Sequence, residues 1–219
     1  MAASESMAAS EASEAKAAKK PPGPRERMIV STALLMRERG ARGTSLDAIL
    51  EHSGAPRGSV YHHFPGGREE LVREATAYAG EYVARKLERV DDHDPFGPLQ
   101  ALFDEYRANL VDSDFRAGCP VVAVAIESSE TGPDLTPSAM AAFDRWRGAI
   151  ATSIERAGVP AARADELAIH SMAAFEGAII LSRAYRDLEP LDRVCGELRR
   201  QLEAELARID KEDMNECRN

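Results

Sequence analysis

The chain has 219 residues, 44% hydrophobic and 30% charged, with a formal charge of −9. That length allows one or two globular domains whose core needs no metal or disulfide, and the composition excludes a wholly disordered polymer. Aromatics at only 5%, among abundant Ala, Leu, Glu and Arg, favour helix, while the acidic balance taken whole argues against a nucleic-acid partner.

Residues 1–24 read as a disordered tail. They are rich in Ala, Ser and Glu and close on the stiff Pro21-Pro22-Gly23-Pro24. They lack the apolar stretch of a secretory signal, and either Met1 or Met7 can be the natural start. No run of 18 apolar residues follows, so no membrane span is expected. Helical periodicity begins at Arg25, with Ile29, Ala33 and Met36 on one face and Gly40 as the stop. Thr44 reads as the cap of the next helix, with Asp47 three residues on as in a capping box. That short helix buries Leu46, Ile49 and Leu50 and ends near Ser53-Gly54. Pro56 can open the next, about 57–63, which turns Val60 and Phe64 inward. Another helix starts near Arg68 and runs to about Val90, and the loop at 91–95 is the best internal boundary.

Beyond it the pattern stays helical. Leu99, Leu102, Phe103 and Tyr106 share a face. The apolar run Cys119–Ile126 fits a buried strand or a helix, and helix is favoured because no partner strand is visible. After a loop near Thr131–Pro133, a helix spans about 137–157. The helix at 163–186 is apolar nearly all round and so needs cover on more than one side. The last, about 190–208, carries Leu191, Val194, Leu198, Leu202 and Leu206 as a stripe. These two helices suggest a dimer interface, unless both only complete the chain's own core.

Three cysteines, Cys119, Cys195 and Cys217, with no CxxC pair fit a reducing cytoplasm and no structural zinc. Phosphate-binding loops, dinucleotide fingerprints, nucleophile elbows and HExxH are absent, so no catalytic constellation is seen and no cofactor is implied. His62 and His63 are adjacent and cannot face one metal from a helix, so no metal site is expected.

Two short helices joined through Gly54 have the spacing of a helix-turn-helix. The second carries Arg57, Ser59, Tyr61, His62 and His63, donors suited to phosphates and base edges. Segmenting the charge then changes its meaning. Residues 15–68 hold ten basic and four acidic residues, a balance of +6, while residues 69–219 carry −12. One end of an acidic protein attracts DNA.

The stretch Arg25–Val72 resembles the DNA-binding domain of the TetR family of bacterial regulators. The matching residues are Gly40, Thr44-Ser45-Leu46, Ile49, Gly54, Gly58 to Pro65 and Arg68-Glu69-Glu70-Leu71. The phrase APRGSVYHHFPGGREELV, with Gly118-Cys119-Pro120 later, is similar to the LmrA/YxaF-like subgroup. The resemblance implies an all-α homodimer: a three-helix helix-turn-helix reader at 25–72, a helical ligand-binding and dimerisation bundle at 73–210, and a tail at 211–219. It implies phosphate contacts at Thr44, Ser45, Tyr61, His62 and Arg68, the last in place of the usual Lys. It implies base-facing positions at Arg57, Gly58 and Ser59. His63 can join them or pack beside Phe64, and Thr44 can be a structural cap as well. Pro56 departs from the pattern, because many relatives carry a capping Ser or Thr there.

For the second domain the resemblance implies a small, largely hydrophobic effector. Phe103, Tyr106, Cys119, Trp146, Met172 and Phe175 are pocket candidates, or simply core. Glu127 and Glu176 lie in apolar stretches and can meet a ligand's polar group, pair with an Arg such as Arg183, or sit at the surface. Cys119 is either an oxidant sensor or an inert buried thiol. The expected protein is a cytoplasmic, effector-responsive repressor on palindromic double-stranded DNA, with no membrane partner. The alternatives are a constitutive regulator or activator without an effector and, with least support, a helical enzyme or adaptor.

Overall fold

The computed structural model describes residues 22–89, 94–127 and 135–216. The expected tail, apart from its last residues, most of the 91–95 boundary loop and the loop at 131–133 therefore lie outside the described residues. Those described form nine α-helices and no strand, in agreement with the all-α reading.

Helix α1 (Pro24–Arg39) opens with proline in its first turn, where a missing N–H costs nothing. Met28, Ile29, Ala33, Leu35 and Met36 are buried along it. Gly40 ends it at φ +76°, a conformation that suits glycine. Helix α2 (Leu46–Ser53) is capped by Ser45, whose hydroxyl accepts the Ala48 N–H at 3.2 Å. The expected cap, Thr44, is instead fully buried and donates to the Gly40 carbonyl at 2.8 Å. Asp47 makes no capping box, because the residue three places after Ser45 is Ala48. Gly54 turns the chain at φ +61°, and a 3₁₀ turn at Arg57–Ser59 leads into α3 (Val60–His63). Pro56 sits just outside that turn in extended conformation. Val60 and Phe64 plug the three-helix core.

Helix α4 (Gly67–Leu87) runs unbroken from the reader into the body, through the expected boundary at 72/73. The body adds α5 (Gly97–Asp112), α6 (Pro120–Glu127), α7 (Thr136–Arg156), α8 (Ala161–Tyr185) and α9 (Glu189–Glu216). Helix α7 crosses α4 at Gly80. A methyl there would stand 2.7 Å from the Ala142 Cβ, and the Trp146 indole donates to the Gly80 carbonyl at 2.8 Å. Phe103, Tyr106 and Phe175 form an edge-to-face cluster, with centroids 4.8 Å and 5.1 Å apart, at the centre of the core.

Two expectations about the C-terminal end change. Residues 211–216 continue α9 rather than forming a tail. The α9 stripe is spent largely on the chain's own core: Leu191, Leu198 and Leu202 are buried, and Val194 and Leu206 pack partly against it. Helix α8 buries Leu167, Ala168, Phe175, Ala178 and Ile179 on one side. Its other side leaves Ile169, Ala173, Ile180, Leu181, Ala184 and Tyr185 exposed. Among the described residues α8 is the one helix long and apolar enough to cross a bilayer, and its inner side is packed in the core.

Candidate nucleic-acid interface and effector cavity

The turn after Gly54 projects a small polar surface. Arg57, Gly58, Tyr61 and His62 are exposed, with Tyr61 at 67%. Ser59 is half-buried and its hydroxyl donates to the Pro56 carbonyl at 2.6 Å, so it tightens the turn that presents its neighbours. Arg57 reaches back to the Asp47 carboxylate at 2.6 Å, linking the two helices of the motif. Ser45 is exposed, so its hydroxyl lies at the surface while capping α2. His63 is half-buried, its ring 6.4 Å from that of Phe64, as in the packing alternative.

Two candidates take inward positions. The Thr44 hydroxyl is committed to Gly40, as above. The Arg68 guanidinium donates to the carbonyls of Thr44, at 2.7 Å, and Ala41. It fastens the α1–α2 turn to the start of α4, which leaves less of it for a phosphate than an exposed Lys would offer. Arg25 pairs with Glu74 and lies over the Phe64 ring, holding α1 against α4.

Beside the continuous α4, polar contacts at three places among the described residues tie the reader to residues 116–127 of the body. The Gly118 N–H donates to the Arg37 carbonyl at 2.7 Å, and Arg37 Nε donates back to the Gly118 carbonyl at 3.4 Å. A side chain on Gly118 would meet the Arg183 guanidinium at 2.6 Å. Cys119 is buried and Pro120 opens α6, so each residue of Gly118-Cys119-Pro120 has a structural task. The Glu127 carboxylate, at the far end of α6, accepts the Arg42 N–H at 2.6 Å. Arg116 pairs with Glu38 at 3.3 Å. Glu127 thus ties the body to the α1–α2 turn, a role its local sequence did not indicate.

A cavity of about 290 Å³ opens between α1, α4, α5, α6 and α7. Of the expected pocket residues it brings together Tyr106, Cys119 and Trp146. Phe103 and Phe175 pack into the core instead, and Met172 borders only a void of about 10 Å³ behind it, whereas Glu176 also lines, with Cys119 and Glu127, a second cavity of about 390 Å³ between α1, α6 and α8. The sequence reading missed Leu34, Arg37, Tyr78, Tyr82 and Asn109. Tyr78 and Tyr82 stand four apart on α4, a spacing that gives one helix face, and both remain over 40% exposed at the cavity mouth.

Behind the cavity lies a buried polar line. Burial pushes the Tyr106 phenol and the Cys119 thiol well above their ordinary ranges, so both stay protonated. A thiol held neutral is a poor nucleophile, which favours the inert reading of Cys119. Desolvation lifts Glu176 to about 7, against the pull of its hydrogen bond with Cys119. One Glu176 oxygen is buried without a partner, and among the described residues the pairing with Arg183, one of the alternatives read from sequence, does not form, although both side chains line the second cavity. Among the described residues no group of three metal-binding side chains is placed to hold a metal ion.

Known proteins resemble the chain over both parts of this architecture. The model for bacterial regulatory proteins of the tetR family matches residues 29–75, and the model for the LmrA/YxaF-like transcriptional regulator C-terminal domain matches residues 95–197. A helix-turn-helix-type transcriptional regulator of Mycobacterium tuberculosis is 49% identical over 189 residues, 84% of this chain and 96% of the other. LmrA of Bacillus subtilis, also a helix-turn-helix-type regulator, is 31% identical over 169 residues, 76% of this chain and 90% of its own. The chain belongs to the TetR family. As a TetR-family protein it is a DNA-binding transcriptional regulator rather than an enzyme. Solved TetR structures agree. A regulator from Rhodobacter sphaeroides superposes with a TM-score of 0.71 at 21% identity, over 81% of this chain and 97% of that one. Another, from Chloroflexus aurantiacus, gives 0.62 at 29% identity, over 80% and 91%.

Proposed function

We propose that this TetR-family regulator is a cytoplasmic, effector-responsive repressor that binds a palindromic operator as a homodimer. The observation that carries the reading is the exposed row Arg57, Gly58, Tyr61 and His62 at the tip of the helix-turn-helix. Arg57 and Gly58 face bases in the major groove, while Ser45, Tyr61 and His62 meet phosphates. Thr44 and Arg68 support the contact from behind, and His63 and Ser59 shape the helix that makes it. Two readers on one dimer would address half-sites about 34–36 Å apart. The exposed side of α8 is the face for the second copy. Ile169, Ala173, Gly177, Ile180 and Ala184 recur there at helical spacing, and the small residues allow close approach.

The cavity of about 290 Å³ is the effector site, and its aromatic walls suit a small hydrophobic compound. The effector acts by preferring a dimer geometry that does not fit the operator, since only a difference in affinity between states can move the equilibrium. A mobility-shift assay on DNA upstream of the chain's own gene tests the reading. The dimer is expected to bind there, and Tyr61→Ala to weaken binding and reduce its salt dependence without loss of fold. Unchanged affinity for Tyr61→Ala removes that contact. If no compound in a metabolite panel releases the DNA, the regulator is constitutive.

A further inference from the structure

The effector reading rests on a cavity, and the charges that line it narrow the chemistry of its occupant. We propose that the cavity takes an aromatic carboxylate, a one- or two-ring acid whose anion is bound by Arg37. This rests on the effector reading above and goes further by naming the ligand class.

Arg37 reaches the cavity from α1. Its Nη2 is buried and makes no hydrogen bond, and its Nε has only the long 3.4 Å bond to Gly118. The guanidinium lies over the Tyr106 ring, 5.8 Å from its centroid, and among the described residues no carboxylate pairs with it. The guanidinium is half-buried, and its one sealed, unused donor is costly unless an acceptor completes it. Its fork matches a carboxylate with two parallel hydrogen bonds. The other charge in the lining, Glu105, is already neutralised: it pairs with Lys86 and accepts the Tyr82 hydroxyl at 2.8 Å. The open charge in the cavity is therefore positive. Asn109 and the neutral Tyr106 phenol add uncharged donors. The rest of the wall is flat and apolar, with Val30, Leu34, Tyr78, Val83 and Trp146, which suits a planar ring.

Arg37 also belongs to the joint between reader and body, through Gly118. A carboxylate that draws the guanidinium into the cavity competes with the Gly118 carbonyl for it. The anion thereby acts on α1, the first helix of the reader, without reaching the DNA.

Isothermal titration calorimetry of the full chain, with benzoate, cinnamate and 2-naphthoate set against their uncharged amides, tests the assignment. Acids are expected to bind at least tenfold more tightly than their amides. Arg37→Gln should abolish that preference while leaving amide affinity nearly unchanged. Amides that match the acids in the unaltered chain overturn the anion assignment but leave the effector cavity standing. An acid preference that survives Arg37→Gln overturns the role of Arg37. If neither acids nor amides bind, this inference falls, while the effector-cavity reading stands or falls on the metabolite panel. The comparison in the unaltered chain stands even if Arg37→Gln folds poorly, and Arg37→Lys, which keeps charge but not the fork, should give an intermediate preference. Acids that bind yet leave the DNA complex intact in a mobility shift overturn the coupling through Gly118.

Discussion

Glu176 shows how one buried group ties stability to pH. Its carboxyl is lifted to about 7 by desolvation, with one oxygen sealed and unpartnered. The folded state therefore holds its proton more tightly than the unfolded state, where an ordinary Glu titrates near 4.5. Stability from this group is complete below that lower value and falls as pH rises towards 7. Glu176→Gln keeps the shape without the charge. It should raise stability at pH 8 by about 3 kcal/mol and flatten the decline between pH 5 and 8, as read by denaturant unfolding across that range. A variant with an unchanged pH profile would mean that the carboxyl is solvated. Thr44 and Arg68 teach the limit of motif reading at this scale. Both stand where the family resemblance implies a phosphate contact, yet tertiary hydrogen bonds hold them inward, and the Arg68 bonds span 24 and 27 residues of sequence.

At the scale of elements, the α2 cap separates folding from DNA contact. Ser45 both caps the helix and stands exposed at the proposed phosphate surface. Ser45→Ala should cost about 1 kcal/mol of stability, seen as a lower thermal midpoint. Ser45→Asp should preserve the cap and its stability, yet weaken operator binding by setting a negative charge against the phosphate. Equal operator affinity for Ser45→Asp would place the residue away from the backbone. The helix-turn-helix was legible because its signals are local: Gly54 in a left-handed turn, and Val60 and Phe64 four apart in the core. The shift of the cap from Thr44 to Ser45 was not, since two adjacent hydroxyls differ only in what the fold lays over them. The cavity was less legible still. Its wall combines Leu34 and Arg37 of α1 with Tyr78 and Tyr82 of α4, and no pattern within either helix says that those faces meet. Glu127 read as a carboxylate in an apolar run, and only its approach to Arg42, 85 residues away, shows it as a joint.

For the whole molecule, the charge division gives a definite salt response. Residues 15–68 carry +6 and residues 69–219 carry −12, so the body repels the polyanion that the reader attracts. Operator affinity should fall steeply with salt, by a slope of about 0.9 per phosphate neutralised, while non-specific binding stays weak. Assembly makes a sharper test. Gly177→Arg places a long charged side chain in the α8 stripe, where an added Cβ meets nothing within the chain itself. The variant should fold as a monomer and lose operator binding, as read by sedimentation and mobility shift. A variant that remains dimeric would move the interface off α8.

The crossing of α4 and α7 sets the mechanical scale of any such regulation. Gly80 and Ala142 touch with no space for a methyl, and the Trp146 indole is bonded to the Gly80 carbonyl at the same place. As a fulcrum, that contact would have the cavity beside it and the reader at the far end of α4. From Gly80 back to Gly67 the helix is a rigid arm of about 20 Å. A rotation of roughly 10° about the fulcrum would carry the foot of the arm by about 3 Å, close to one step along a DNA strand.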